Sequence, residues 1–239
     1  MFDSVFFADN QSFVMFGNEH LITVLFFAVT GMLFIKWALT LPKNKQHLVG
    51  NIFAFSLAFT VLVWTFLKIY LNGFDIKHDL PLNLCNLTAL LLPIFTLTRK
   101  KLYYEIVFFW ILAGTTHAVL TPDLSDAFPH YVFLKYWYVH AGLILFVFYA
   151  TFVYNMRPTL KSPIKSFVAL QGYIILMFAV NYTIGSNYFY TNQKPNSSSA
   201  LDFLGEWPYY IFVIELFMLP YFFLFYLPFY LSSRKKQKV

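Results

Sequence analysis

The chain has 239 residues, of which 59% are hydrophobic, 22% are aromatic and only 12% are charged. A soluble domain carries about 25% charged residues, so this composition excludes an ordinary soluble protein and indicates an integral membrane protein. The formal net charge is +6, but the basic residues occur in short clusters between apolar stretches. Such clusters are typical of membrane orientation, and we therefore expect no nucleic-acid partner.

Seven apolar stretches are long enough to cross a hydrocarbon core of ~30 Å, which takes roughly 20 helical residues. We expect an all-α polytopic membrane protein with transmembrane helices at residues 20–41, 47–71, 80–98, 103–121, 131–155, 164–187 and 207–231. Together they form a transmembrane domain at residues 20–232. Residues 233–239 are expected to be a basic cytoplasmic tail.

Residues 1–19 precede the first predicted helix. They lack the basic start of a cleavable signal and alternate apolar with acidic residues, so we expect an extracytoplasmic segment that remains on the protein. Its phenylalanines would let it lie along the outer membrane interface; they are Phe2, Phe6, Phe7, Phe13 and Phe16.

The orientation follows from the short loops, because lysine and arginine stay on the cytoplasmic side. Basic residues follow the first, third and fifth predicted helices and end the chain, whereas the alternate segments carry the acidic residues. The basic residues are Lys43, Lys45, Arg99, Lys100, Lys101, Arg157, Lys161, Lys165, Arg234, Lys235, Lys236 and Lys238. We expect the N-terminus outside, the C-terminus in the cytoplasm, and a multi-pass protein of the cell membrane.

Polar residues inside the predicted helices are informative because each one is costly in lipid. At a rise of 1.5 Å per residue, the depths below the outer surface are about 6 Å for His117, 7 Å for Cys85, 9 Å for Asn181, 12 Å for Glu215 and 14 Å for His140. These residues come from different helices and could line one cavity open to the outside. In the inner half we expect Gln171 to be buried and Glu105 to pair or reach the surface.

Cys85 is the only cysteine, which excludes an internal disulfide and a multi-cysteine zinc site. A buried cysteine is most often core packing, but a helix N-terminus or a neighbouring histidine would favour its thiolate. His140 and His117 are both candidates for that base, and each could instead be hydrogen-bonded across helices.

The remaining polar residues have alternative interpretations. Asn83, Asn86 and Asn181 could bind substrate or stabilise an oxyanion, or they could only join helices by hydrogen bonds. Glu215 could be a protonated acid, the partner of His140, or one step of a proton or cation path. Lys68 and Lys135 can be explained by contact with lipid phosphate. His117, His130 and His140 match no standard ligand spacing, so we expect no metal site and no cofactor.

Five stretches resemble, in order, the signature blocks of the YwaF family of bacterial seven-helix membrane proteins, which is related to the eukaryotic transmembrane protein 164. They are LPLNLCNLTALLLPI, YYEIVFFWILAGTTHAVLTPDL, FPHYVFLKYWYVHAGLIL, NYTIGSNYFYTNQKP and LDFLGEWPYYIFVIE. The eukaryotic relative moves fatty acyl chains between phospholipids through a cysteine, so the resemblance implies acyl transfer and assigns that role to Cys85. Asn83 stands where many relatives have histidine or glutamine, and Glu206 replaces the residue usual before the WP pair. The base would therefore be His140 or His117.

The leading hypothesis is a lipid acyltransferase or lipid hydrolase. Cys85 would attack the acyl carbonyl, a histidine would act as base and then acid, and Asn83 or Asn86 would stabilise the oxyanion. The alternative is a transporter or small-ligand binding protein with an outward-facing polar cavity, in which Glu215 and His140 bind a proton or a cationic solute. A third hypothesis is a structural or sensory subunit. Membrane lipids are the expected partners, and no oligomeric state is predicted.

Overall fold

The computed structural model of the chain describes residues 12–71, 73–195 and 200–236. Within these ranges the chain is helical: α1 Asn18–Thr40, α2 Lys43–Tyr70, α3 Leu84–Thr98, α4 Lys101–Leu120, α5 Tyr131–Phe152, α6 Ser162–Ile184 and α7 Tyr209–Lys236. Short 3-10 helices at Tyr188–Tyr190 and Ala200–Leu204 lie between α6 and α7. The predicted all-α fold is confirmed, and α7 extends into the predicted tail.

Six of these helices are long and apolar enough to cross a membrane, namely α1, α2 and α4–α7. The exception is α3, which has 15 residues and a length of only about 22 Å at 1.5 Å per residue. The predicted helix at residues 80–98 begins four residues later, at Leu84, because residues 80–83 form turns and Asn83 has the extended backbone of an N-cap residue. Helix length therefore supports six crossings.

α4 and α5 form the centre of the bundle, and α1 and α7 lie at its periphery. In their most apolar stretches, 56% of α4 and 39% of α5 is buried, against 11% of α1 and of α7. Side-chain hydrogen bonds join neighbouring helices. Ser56 of α2 bonds to Tyr138 of α5 at 2.6 Å, and Tyr104 of α4 bonds to Thr151 of α5 at 2.9 Å. The core between them is mainly aromatic and aliphatic.

The bundle has two ends of different charge. At the basic end, α1 and α3 end and α2, α4 and α6 begin. The buried Glu105 carboxylate there pairs with Lys165 at 2.6 Å and accepts hydrogen bonds from Ser162 at 2.7 Å and Thr159 at 3.2 Å, which confirms its predicted pairing. At the acidic end, Lys68 pairs with Asp79 at 3.3 Å.

The N-terminal segment packs inward where it is described. The Phe13 ring lies 5.6 Å from the His20 ring and 6.2 Å from the Phe133 ring, so Phe13 packs against the helix bundle. Phe16 is 59% exposed. The predicted interfacial positions of Phe2, Phe6 and Phe7 lie outside the described residues, as do residues 237–239 of the predicted tail.

Candidate functional site

Cys85 is the second residue of α3. It therefore lies closer to the start of its helix than in the predicted helix, which began at Leu80. The first backbone N–H groups of a helix have no intrahelical acceptor. In α3 the first intrahelical bond runs from the Leu87 N–H to the Asn83 carbonyl at 2.9 Å, and the Asn83 side chain makes no capping bond. The N–H groups of Cys85 and Asn86 are therefore unpaired within the described chain, beside the thiol and at the positive end of the helix dipole.

The thiol faces a threonine of α4. Cys85 Sγ lies 3.5 Å from the Oγ1 atom of Thr115, which is buried and ends the π-helical turn Ile111–Thr115. A π-helical turn holds an extra residue and is frequent at functional sites. It turns Thr115 toward α3, whereas His117 is exposed and its Nε2 atom lies 3.3 Å from the Tyr221 hydroxyl of α7. The structure thus brings Cys85 to Thr115 and not to His117.

Lys135 of α5 is the charged neighbour of the thiol. Its ammonium group interacts electrostatically with Cys85 and Asp79 and lies 6.0 Å from the centre of the Trp64 ring. Lys68 lies 5.4 Å from the same ring and is the lysine that pairs with Asp79. Lys135 therefore faces the interior, and contact with lipid phosphate does not explain it. A lysine within an apolar helix is energetically costly, and this cost was the sign in the sequence that Lys135 could act inside the protein.

Three tyrosines also lie within electrostatic range of the thiol: Tyr136, Tyr173 and Tyr190. The hydroxyl of Tyr136 donates to the Ala118 carbonyl at 2.8 Å, and that of Tyr173 donates to the Leu82 carbonyl at 2.7 Å. Tyr190 lies in the loop after α6, and burial raises its pKa to about 12. Nothing in the sequence separated these three tyrosines in advance from the other tyrosines of the chain.

His140 contacts one of these tyrosines, Tyr136. Its ring packs against that of Tyr136 at a tilt of 34°, with centroids 4.1 Å apart, and its Nδ1 atom lies 2.7 Å from the Tyr136 carbonyl. A nitrogen opposite a carbonyl oxygen must carry the proton, so in neutral His140 the free lone pair is on Nε2. Within the described residues no hydrogen bond joins His140 to Cys85; Tyr136 contacts the His140 ring and lies within electrostatic range of Cys85.

Asn83 and Asn86 differ from Asn181. Asn83 is exposed, Asn86 is half-buried, and neither side chain has a hydrogen-bond partner in the described part of the chain. The Asn181 amide is buried and donates to the Tyr188 carbonyl at 2.9 Å and to Thr191 at 2.7 Å, while its oxygen accepts from Ser186 at 2.6 Å. Asn181 thus shapes the loop after α6.

Glu215 of α7 accepts a hydrogen bond from the Gln171 amide of α6 at 2.6 Å. Gln171, expected in the inner half, and Glu215, expected in the outer half, therefore meet through their long side chains. Within the described residues no hydrogen bond joins any two of the five polar residues that could line one cavity, and each has its own partners. Helix depth alone cannot show which way a side chain faces.

A family model described as the TMEM164 family matches residues 15–226, a range that contains α1–α6 and most of α7. The chain belongs to the TMEM164 family. The predicted relation to transmembrane protein 164 is thereby confirmed, although the match does not extend to the YwaF name. No curated protein and no solved structure matches the chain.

In this TMEM164-family chain, the described residues contain no group of three or more histidine, cysteine, aspartate or glutamate side chains placed to hold a metal ion. His117 contacts α7, and His140 bonds to its own helix. His130 caps α5 by accepting the Val132 N–H at 3.2 Å. The three histidines considered from the sequence therefore lie apart.

A groove of about 280 Å³ runs between α1 and α5 in the apolar zone. Small residues widen its middle, among them Ala28, Gly31 and Ala141. Near the acidic end, His20 Nε2 lies 2.9 Å from the Val119 carbonyl and Glu19 accepts the Phe128 N–H at 2.6 Å, which fixes that end of α1. The groove is lined by apolar side chains of α1, α4 and α5.

Proposed function

We propose that this protein is an acyltransferase or acyl hydrolase of membrane phospholipids that uses Cys85 as its nucleophile. The observation that carries the proposal is the place of Cys85 in the first turn of α3, where the thiol, two unpaired backbone N–H groups and the Lys135 cation lie together. Helix N-termini and neighbouring lysines both favour the thiolate form of cysteine. Membership of the TMEM164 family is consistent with this chemistry.

The reaction would proceed in two steps. The Cys85 thiolate attacks the carbonyl carbon of a lipid ester, and the carbon–oxygen bond to the glycerol breaks to leave an acyl thioester. The alcohol oxygen takes a proton as it leaves. Water or the hydroxyl of a second lipid then attacks the thioester, which releases a fatty acid or a new ester and returns the proton to the thiol.

The oxyanion would be stabilised mainly by the backbone. The N–H groups of Cys85 and Asn86 point out of the N-terminal end of α3 and have no intrahelical acceptor, so they could serve as a preorganised donor pair. The side chains of Asn83 and Asn86 remain free to add a further bond.

We assign the general base to His140. A neutral imidazole with a free Nε2 atom can accept the thiol proton, and Tyr136, which lies within electrostatic range of Cys85, contacts this histidine. Thr115 orients the thiol. His117 faces α7 and provides a natural control for any test of His140.

A membrane lipid as substrate agrees with the surroundings of the site. The groove between α1 and α5 is apolar along its length and accessible from the bilayer, so it could hold an acyl chain. Trp137 lines this groove and directly follows Tyr136, so the groove and the Cys85 site lie on adjoining faces of α5.

The test is to trap the acyl-enzyme. Full-length protein in phosphatidylcholine vesicles is incubated with a phospholipid carrying a fluorescent acyl chain, and the hydroxylamine-sensitive label on the protein is measured. Wild type should be labelled and Cys85→Ala should not. His140→Gln should lose most of the labelling rate while His117→Gln retains it. Full labelling or undiminished lipid turnover in Cys85→Ala would refute the proposal.

We further infer that the chain crosses the membrane seven times, with the N-terminus outside and the C-terminus in the cytoplasm. The alternation of basic and acidic ends along the chain supports this topology. The turn residues before α3 would complete its crossing, since they are partly shielded by the loop after α6 through the bond between the Tyr188 hydroxyl and the Leu80 N–H at 2.9 Å.

A second candidate function rests on the Gln171–Glu215 pair. A half-buried carboxyl group in an apolar helix, held by a single amide at 2.6 Å, is typical of a proton or cation path. Under this alternative, Glu215→Gln should abolish proton-coupled uptake or solute binding, and Cys85→Ala should leave it unchanged. Acyl labelling that survives in Glu215→Gln would favour the enzyme.

A further inference from the structure

The turn that precedes α3 is fixed by residues outside that helix. Residues 80–83 form turns, and the Asn83 side chain makes no capping bond. Cys85 follows in the first turn of α3. Because this end of the helix has no side-chain cap, its direction depends on the contacts that hold the residues before it.

Two tyrosine hydroxyls make those contacts. The hydroxyl of Tyr188, in the loop after α6, donates to the Ile76 carbonyl at 2.8 Å and accepts the Leu80 N–H at 2.9 Å. The hydroxyl of Tyr173 in α6 donates to the Leu82 carbonyl at 2.7 Å. Both tyrosines are buried, so losing either hydroxyl would leave a polar backbone group of the turn without its partner.

Tyr188 is itself held by Asn181 of α6. The side-chain oxygen of Asn181 accepts the Tyr188 N–H at 2.8 Å, and its amide donates to the Tyr188 carbonyl at 2.9 Å. The same amide also donates to Thr191, and the same oxygen also accepts from Ser186. The buried Asn181 side chain thus uses all four of its hydrogen-bonding positions and fixes Tyr188 relative to α6.

The backbone directly after Tyr188 is strained. Phe189 and Tyr190 have φ values of 58° and 54°, in the left-handed region that residues other than glycine rarely adopt. Such conformations persist only where the surrounding structure holds them. The Phe189 ring packs against the Tyr173 ring with centroids 5.1 Å apart, and the Tyr210 hydroxyl donates to the Tyr190 carbonyl. The loop is therefore fixed on both sides of its strained residues.

We propose that Tyr188, held by Asn181, is a positioning residue for acyl transfer at Cys85. Its hydroxyl fixes the turn before α3, and this turn sets the direction of the thiol and of the unpaired backbone N–H groups. No hydrogen bond joins Tyr188 to Cys85 within the described chain, so Tyr188 acts through the turn. A displacement of about 1 Å at a reacting group can lower a rate about 100-fold. This role rests on the proposed function, because it belongs to the same reaction.

The experiment removes the hydroxyl and keeps the ring. Full-length wild type and Tyr188→Phe in phosphatidylcholine vesicles receive a phospholipid with a fluorescent acyl chain at several mole fractions, and formation of the hydroxylamine-sensitive label is followed in time. The maximal rate of labelling should fall about tenfold in Tyr188→Phe, because the attacking group is less well oriented. The mole fraction of lipid that gives half the maximal rate should change less than about twofold, as expected when only the reacting step is affected.

Tyr104→Phe is the matched control for a purely structural loss. The Tyr104 hydroxyl is also buried and also joins two elements, through its bond to Thr151 at 2.9 Å, but it lies at the basic end of the bundle. The Tm of each variant should fall by about 2–6 °C. Only Tyr188→Phe should lose labelling rate.

Hydrogen exchange tests the turn without the reaction. In Tyr188→Phe, amide exchange in the peptide at residues 76–87 should become about tenfold faster, because the Leu80 N–H loses its acceptor and the turn opens more often. Tyr104→Phe should leave exchange in this peptide unchanged. Tyr173→Phe, which removes one bond to the turn instead of two, should lower the labelling rate by a smaller factor than Tyr188→Phe does.

A Tyr188→Phe protein labelled at the wild-type maximal rate would overturn the positioning role and leave acyl transfer by Cys85 standing. An equal loss of rate in Tyr104→Phe, or wild-type exchange of the turn in Tyr188→Phe, would overturn it as well. If the wild type forms no acyl-enzyme, the proposed function fails and the role of Tyr188 fails with it.

Discussion

At the scale of single residues, Cys85 owes its proposed reactivity to two sources of positive potential that compete with the desolvation of its thiol. One is the start of α3, and the other is Lys135. Burial disfavours a thiolate, and a nearby cation offsets that cost. The balance between the two is open to direct measurement because the chain has one cysteine.

We expect Lys135→Met to slow alkylation of Cys85 by a small maleimide about tenfold near neutral pH, since the thiolate loses its nearest cation. The rate is measured by mass spectrometry of the intact protein. Lys68→Met is the matched control: Lys68 contacts the same Trp64 ring but pairs with Asp79, so its loss should change the rate little. Equal rates in Lys135→Met and wild type would show that Lys135 does not act on the thiol.

The sequence could single out Cys85 and His140, because a thiol and an imidazole are rare and costly in an apolar span. It could not identify Thr115 or separate His140 from His117. That choice depends on the phase of α4, which the π-helical turn Ile111–Thr115 shifts by one residue. No residue of this apolar turn indicates the shift in advance.

At the scale of helices, α2 and α5 approach closely at a glycine. A Cβ atom on Gly50 would lie 2.8 Å from the Tyr154 ring carbon Cζ and 2.9 Å from Cε1 of Tyr149. The two tyrosines are held in place, Tyr149 by a bond to the Gln46 carbonyl at 2.6 Å and Tyr154 by Thr96. The approach of the two helices therefore requires glycine at this position.

Gly50→Ala should destabilise the protein by about 1–3 kcal/mol, as overpacking of a filled contact does. Gly172→Ala in α6 is the control, because no atom lies within 4 Å of its added Cβ, and alanine favours a helix over glycine by about 1 kcal/mol. Thermal unfolding in detergent should show a lower Tm for the first variant and an equal or higher Tm for the second. A Gly50→Ala protein as stable as wild type would show that Tyr149 and Tyr154 can yield.

At the scale of the whole molecule, the apolar composition predicted that the protein lies in a lipid bilayer, and that environment predicted the secondary structure. In a bilayer every backbone polar group must be bonded internally, so apolar stretches of this length become helices. The predicted helix boundaries accordingly agree with the observed ones to within five residues. The start of α3 deviates because Pro81 and Asn83 favour turn and cap conformations over a helix. The short α3 is thus the element on which the number of crossings depends.

We expect α3 to cross the membrane, with His78 outside and Lys100 in the cytoplasm. In the cysteine-free background Cys85→Ser, single cysteines are introduced as His78→Cys or Lys100→Cys, at exposed positions that flank only α3. A membrane-impermeant maleimide applied to intact cells should label the first variant, and the second only after the membrane is opened. Labelling of both variants from the same side would mean six crossings, with both termini on one side. Because the two positions are separated by α3 alone, the result depends on no other helix.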